Sequence, residues 1–121
     1  MMFEDIEKDF ILPNTLSAMA KTFYVKVAKP LKDGKWFLKA GSQVTGIKVI
    51  AQGEKIREVQ RLIKSYPLSN GKFTKVEDWY KVRGTAVITD GTKEIITEIH
   101  WYQCENVGKV EYKTKDGQIK R

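Results

Sequence analysis

The chain has 121 residues, a net charge of +7, 41% apolar and 11% aromatic side chains, and a single cysteine. That length suits one core, the apolar content excludes a disordered chain, and a lone Cys104 excludes an internal disulfide and, with no companion ligands, a structural zinc site. No run of about 18 apolar residues marks a membrane span, and the acidic opening MMFEDIEKDF lacks the features of a secretory signal, so a reducing cytoplasm is the expected home.

The charge is unevenly placed. Residues 1–12 carry Glu4, Asp5, Glu7 and Asp9 against Lys8, whereas 109–121 carry Lys109, Lys113, Lys115, Lys120 and Arg121 against Glu111 and Asp116. A basic domain of this size favours polyanions, with RNA or DNA first. The plain alternative is a lysine-rich surface that only keeps the protein in solution.

In chain order, Phe3, Ile6, Phe10 and Ile11 fall near helical spacing before Pro13, which predicts a short amphipathic N-terminal helix over 1–13. Asn14 is a candidate N-cap for one further turn. TFYVKVA (22–28) and QVTGIKVI (43–50) read as strands, with the turn signal KDGK between them. GEKIREVQRLIKSYP then changes to helical period, with Ile56, Val59, Leu62 and Ile63 on one side, and predicts the main helix over about 54–65. Residues 67–78 form a polar loop. WYKVRGTAVITD, KEIITEIHWY and GKVEYKTK close the chain as a three-stranded meander whose first turn is Asp90-Gly91-Thr92-Lys93. The expected fold is α+β in one domain over 1–121: an antiparallel sheet of about five strands ending in that meander, with the helix on one face and a core over 22–115.

A two-residue loop at Gly91-Thr92 fixes the first register of the meander. It sets Ile88 opposite Ile95, Gly84 opposite Ile99 and Val82 opposite Trp101, an apolar set expected to face the helix. Gly84 there leaves room for a large neighbour. The other side pairs Thr85 with Glu98, Arg83 with His100 and Lys81 with Tyr102. Placing Trp101 opposite Val110 on the last strand then sets His100 against Glu111 and Glu98 against Lys113. Directly opposed residues lie roughly 4.5–5.5 Å apart at Cβ, so Arg83, His100 and Glu111 would share a row, with Lys81, Tyr102 and Lys109 alongside.

Such a face has the parts for cutting RNA without a metal. Glu111 or Glu98 would take the proton from a ribose 2′-hydroxyl, a protonated His100 would deliver one to the leaving oxygen, and Arg83 with a lysine would hold the phosphate. Lys81, Tyr102, Lys109 and Lys113 would bind the substrate. The parts match those of small microbial ribonucleases such as barnase, an analogy of inventory without a shared motif. Opposite charges facing each other also describe an ordinary solvated sheet, on which a lone histidine is a bystander. A second histidine is absent, which excludes the two-histidine scheme. Phosphate-binding and nucleophile-elbow motifs are missing, Cys104 and His100 are poorly placed as a thiol–imidazole pair, and no cofactor or metal is expected. Trp36, Phe37, Trp79 and Tyr80 are candidate stacking surfaces for bases, with burial the simpler explanation for most of them.

Trp79, Lys81 and Gly84, then Glu98, His100, Trp101 and Tyr102, then Gly108, Lys109, Glu111 and Lys113 form a pattern that resembles a short domain at the C-terminus of phage minor head (head-morphogenesis) proteins and related mobile-element proteins of Gram-positive bacteria. The resemblance is strongest over 78–115, and such tails are suspected to be toxin-like effectors. It implies a toxin-like protein, with the activity left open between a metal-independent endoribonuclease and an RNA-binding domain. The alternative is a non-catalytic phage or mobile-element protein that binds a protein partner or nucleic acid through the same face. For a toxin-like nuclease, an inhibitor protein would be one such partner. Oligomeric state is not legible here.

Overall fold

The computed structural model describes residues 21–115. The short helix expected over 1–13 and the turn at Asn14 lie outside them. Within them run β1 (Phe23–Tyr24), β2 (Lys29–Pro30), β3 (Phe37–Leu38), β4 (Gln43–Gln52), α1 (Val59–Ser65), β5 (Trp79–Thr89), β6 (Glu94–Cys104) and β7 (Gly108–Thr114). All strand pairs are antiparallel. The expected α+β class with its closing meander therefore stands, as a curled sheet with one helix, and its strands number seven among the described residues. Of the strand expected over 22–28 only Phe23–Tyr24 forms as β1, and β2 (Lys29–Pro30) lies just beyond that range.

Strand β5 is the spine of the sheet. One of its edges pairs with β4 over Tyr80–Thr85 and with β3 at Ile88 and Thr89. The other edge pairs with β6 along its whole length. β6 in turn pairs with β7, and the Lys32 amide donates to the Tyr112 carbonyl at 2.9 Å, bringing the turn before β3 against the last strand. The curl encloses Phe23, Leu38, Val44, Val82, Ile88, Ile99 and Trp101. Burying side chains of this kind is worth roughly 1.5–3 kcal/mol each before chain entropy is counted.

The β5–β6 register matches the expectation at every pair named above. Asp90 enforces it: its carboxylate accepts from the Thr92 and Lys93 amides at 2.9 and 2.8 Å and from the Thr92 hydroxyl at 3.0 Å. Gly84 is under steric pressure. A Cβ built there would lie 2.8 Å from a Val44 methyl, 3.1 Å from the Trp101 ring and 3.2 Å from the Thr45 carbonyl.

Three expectations are corrected. First, α1 begins at Val59, because Gly53–Lys55 forms a 3-10 turn and Ile56 is extended (φ −83°, ψ 117°), which interrupts the helical run. Second, the Val82–Gly84–Ile88–Ile99–Trp101 side does not face α1; it lines the interior of the curl. The helix packs on the opposite side of the sheet, where Ile56, Val59 and Leu62 meet Trp79, Tyr102 and Cys104 in a second core. The sheet therefore buries apolar side chains on both faces at this end.

Third, β7 is offset. Tyr102 faces Val110 and His100 faces Lys113, so two residues, Glu111 and Tyr112, stand opposite Trp101. Glu111 adopts φ 60°, in the left-handed region that costs a non-glycine residue strain. This is a β-bulge, with one extra residue that bends the strand and re-aims its side chains. Val110 thus joins the helix-side core and Tyr112 the interior, although both are even-numbered.

Candidate functional site

Side chains alternate across a strand, so the side of the sheet away from the curl can be read row by row. Its lower half, around Lys81, Tyr102 and Val110, lies under α1. Among the described residues no helix packs on its upper half, where side chains are half-buried or exposed. There the registers align one residue from each of four strands: Lys48 of β4 opposite Arg83 of β5, Arg83 opposite His100 of β6, and His100 opposite Lys113 of β7. Neighbouring strands lie about 4.8 Å apart, so the row spans about 14 Å. The next row up is Thr45–Thr85–Glu98.

Glu98 is the carboxylate that binds into this row. Its Oε2 accepts from Arg83 Nε at 2.9 Å and pairs with His100 Nε2 at 2.9 Å. Arg83 also donates to the Gly46 carbonyl at 3.3 Å, at the irregular stretch of β4 where Gly46 has φ 62°. The hydrogen bonds from Arg83 and then His100 hold the Glu98 carboxyl far below the usual carboxylate range, at about 2. Arg83, Glu98 and His100 are partly sheltered, with His100 the most enclosed at 13% side-chain exposure.

Glu111 does not join them. The bulge delivers it to α1, where Arg61 grips both of its oxygens at 2.8 and 3.0 Å and the Tyr66 hydroxyl donates to it at 2.8 Å. The Arg61 hydrogen bond is the main reason its carboxyl is depressed. Burial first, and the bond to Glu111 second, push the Tyr66 phenol up to about 12. Arg61 also bonds Glu58, so this cluster clamps the helix to the last strand.

Four of the eight residues marked in the sequence therefore share the open face: Arg83, Glu98, His100 and Lys113. Tyr102 is buried under α1, and burial raises its hydroxyl pKa; Lys81 stands opposite it on the same covered half. Lys109 pairs with Gln103 on the interior side and sits over the Phe23 ring at 4.8 Å. The expected rows Arg83–His100–Glu111 and Thr85–Glu98–Lys113 are replaced by Lys48–Arg83–His100–Lys113 and Thr45–Thr85–Glu98. Lys48 was missed because the β4–β5 register shifts on either side of it, leaving no turn from which to count. Arg61 was missed because it matters only once the bulge has turned Glu111 toward α1.

Among the stacking candidates, Trp36, Trp79 and Tyr80 are buried and Phe37 is exposed. The Trp79 indole N–H donates to Thr74 Oγ1 inside the protein. Cys104 is buried, and burial pushes its thiol up to about 12, which removes it as a nucleophile. Among the described residues no cluster of three or more His, Cys, Asp or Glu side chains could hold a metal, and no helix is long and apolar enough to cross a membrane. No protein-family model, no curated protein and no solved structure matches the chain.

The chemistry open to this face follows from its charges. A carboxylate held at about 2 is a weak base near neutral pH, and Glu111 is occupied by Arg61. Neither suits the 2′-hydroxyl base role expected of them. Arg83 keeps donors in its planar guanidinium beyond those spent on Glu98 and Gly46, with Lys48 beside it and Lys113 beyond His100 as point charges.

Proposed function

We propose that this chain is a small RNA-binding protein of the toxin-like kind carried by phages and mobile elements, acting in the cytoplasm. It holds RNA phosphates on the cation row across β4–β7. The observation that carries the reading is the alignment of Lys48, Arg83, His100 and Lys113 on a sheet face that, among the described residues, α1 leaves uncovered. Its two lysines and arginine meet Glu98, which Arg83 already binds, and Glu58, which acts on Lys113 but is held by Arg61, so positive charge stays in excess and the face attracts polyanions. The sequence pattern over 78–115 supports the phage-related part of the reading.

The test is a salt titration of affinity for a labelled RNA oligonucleotide. Three to four phosphate contacts on a single strand give a log–log slope of about −2 to −3, at roughly −0.7 per phosphate. Lys48→Glu with Lys113→Glu should weaken binding at least tenfold and flatten the slope. An affinity indifferent to salt would end the proposal and leave a protein partner, such as an inhibitor, as the face's occupant.

One contact favours a second reading, metal-independent cleavage. Glu98 holds His100 by Nε2, an arrangement that fixes an imidazole tautomer and leaves Nδ1 for proton exchange with a substrate. Single-turnover cleavage of mixed cellular RNA in EDTA checks it. His100→Ala should then slow cutting by roughly 100-fold or more, the usual worth of a positioned proton-transfer group. A wild type that leaves RNA intact confines the protein to binding.

A further inference from the structure

Above the cation row the open face turns apolar. Phe37 stands opposite Thr89, and Val87 opposite Ile96, so alternation places Phe37, Val87 and Ile96 on the same side as Arg83 and His100. Ile96 is 73% exposed and Phe37 37% exposed. Of the other large exposed side chains, Tyr24, Val27 and Phe73 lie off these strands, and Ile50 lies on β4 on the far side of the cation row from this corner; exposed singly, they need no ligand to explain them. The corner formed by Phe37, Val87 and Ile96 differs because it continues a charged surface.

The carboxylates near the corner do not repel a polyanion at full strength. Glu94 is paired with Lys39 at 2.7 Å and Glu98 with Arg83 at 2.9 Å. From His100 to Ile96 is four strand residues, about 13 Å, a distance that a few nucleotides bridge at 3.4 Å or more each.

The geometry points to single-stranded RNA as the ligand of this face, with its phosphates on the Lys48–Lys113 row and its unstacked bases seated on Phe37, Val87 and Ile96. The inference rests on the RNA-binding reading and narrows it. A duplex hides its base faces in its own stack, so it can meet the cations but cannot cover the apolar corner. A single strand satisfies both, because any base offers a flat apolar surface to an aromatic ring. A protein partner could also cover apolar surface, but the aligned cations favour a ligand with regularly repeated negative charge.

The experiment measures fluorescence anisotropy of two RNAs of equal length, an unstructured oligouridylate and a perfect duplex, with wild type, with Phe37→Ser/Ile96→Ser and with Lys48→Glu/Lys113→Glu. Circular dichroism confirms that each variant is folded. The wild type should prefer the single strand. The serine variant should lose roughly tenfold or more on the single strand, the order expected for one lost base-stacking contact, with little change on the duplex. The lysine variant should lose both. If the serine variant binds the single strand like wild type while the lysine variant loses both RNAs, the base-seat inference falls and the cation row stands. If wild type binds neither RNA, both fall. An additional Phe37→Trp variant should retain single-strand binding; its loss would also overturn the stacking role.

Discussion

The outward side of β5 and β6 contains two regions built on one backbone and one alternation pattern. In the covered half, Trp79, Tyr102 and Cys104 meet α1 and are buried. In the open half, Arg83, Glu98 and His100 bond mainly to one another. The comparison teaches that the sheet does not have a core face and a wet face. It has one buried face, and a second that is buried only as far as the short helix reaches. Seven helical residues cover about 10 Å at 1.5 Å each, less than the length of the strands beneath. Function is expected where that cover ends.

The largest effect should come from the covered half. Leu62 is fully buried between α1 and the sheet, and Leu62→Ala should cost about 2–5 kcal/mol through lost burial and a cavity. Urea denaturation measures the loss. RNA affinity, corrected for the folded fraction, should stay within twofold; a larger change would show that the halves are not separable.

Gly84 lies on the strand shared by the two halves. Gly84→Ala should cost about 1–3 kcal/mol, because the new methyl meets the Thr45 backbone as well as movable side chains. Binding should weaken too if β4 shifts and carries Lys48 with it. A neutral Gly84→Ala would mean that β4 gives way freely.

The smallest effect belongs to the open half and is seen only in acid. Glu98 titrates at about 2 in the fold against an ordinary 4.5. Its lowered pKa contributes stability that is present above about 4.5 and is lost as pH falls toward 2. Melting temperatures across that window should fall less steeply in Glu98→Gln than in wild type. Asp90, depressed to about 2 chiefly by the Lys93 and Thr92 backbone bonds, keeps its own share. Identical acid limbs would mean that the Arg83–Glu98–His100 contact is not maintained in solution.

Legibility in the sequence followed the turns. Asp90-Gly91 allows little choice of loop, so every β5–β6 pair, the setting of Arg83 beside His100 and the crowding at Gly84 could be counted out from it. The next turn contains Asn106 at φ 71°, and the glutamate that takes the bulge carries no glycine to announce it. His100 therefore gained Lys113 as its neighbour where Glu111 was expected. The helix was legible in its period but not in the side it chose, because Trp79 and Tyr102 fall on the polar face when one apolar face is assumed, and Val110, expected on the apolar face opposite Trp101, packs on the helix side. Lys48 became a site residue only through pairing between strands distant in sequence.

The bulge at Glu111 behaves like a frameshift written into the fold. Before it, even-numbered residues of β7 point toward the helix; after it, they point into the interior, and Lys113 reaches the open face only because the phase has changed. Deleting Glu111 would restore simple alternation and leave Tyr112 and Lys113 on their present sides, whereas pairing Glu111 in phase with the rest of the strand would send them to each other's side. Insertions should therefore be tolerated at the exposed Gly91-Thr92 tip and purged from 112–113, whereas loss of Glu111 alone should keep the phase of β7 and cost its contacts to Arg61 and Tyr66.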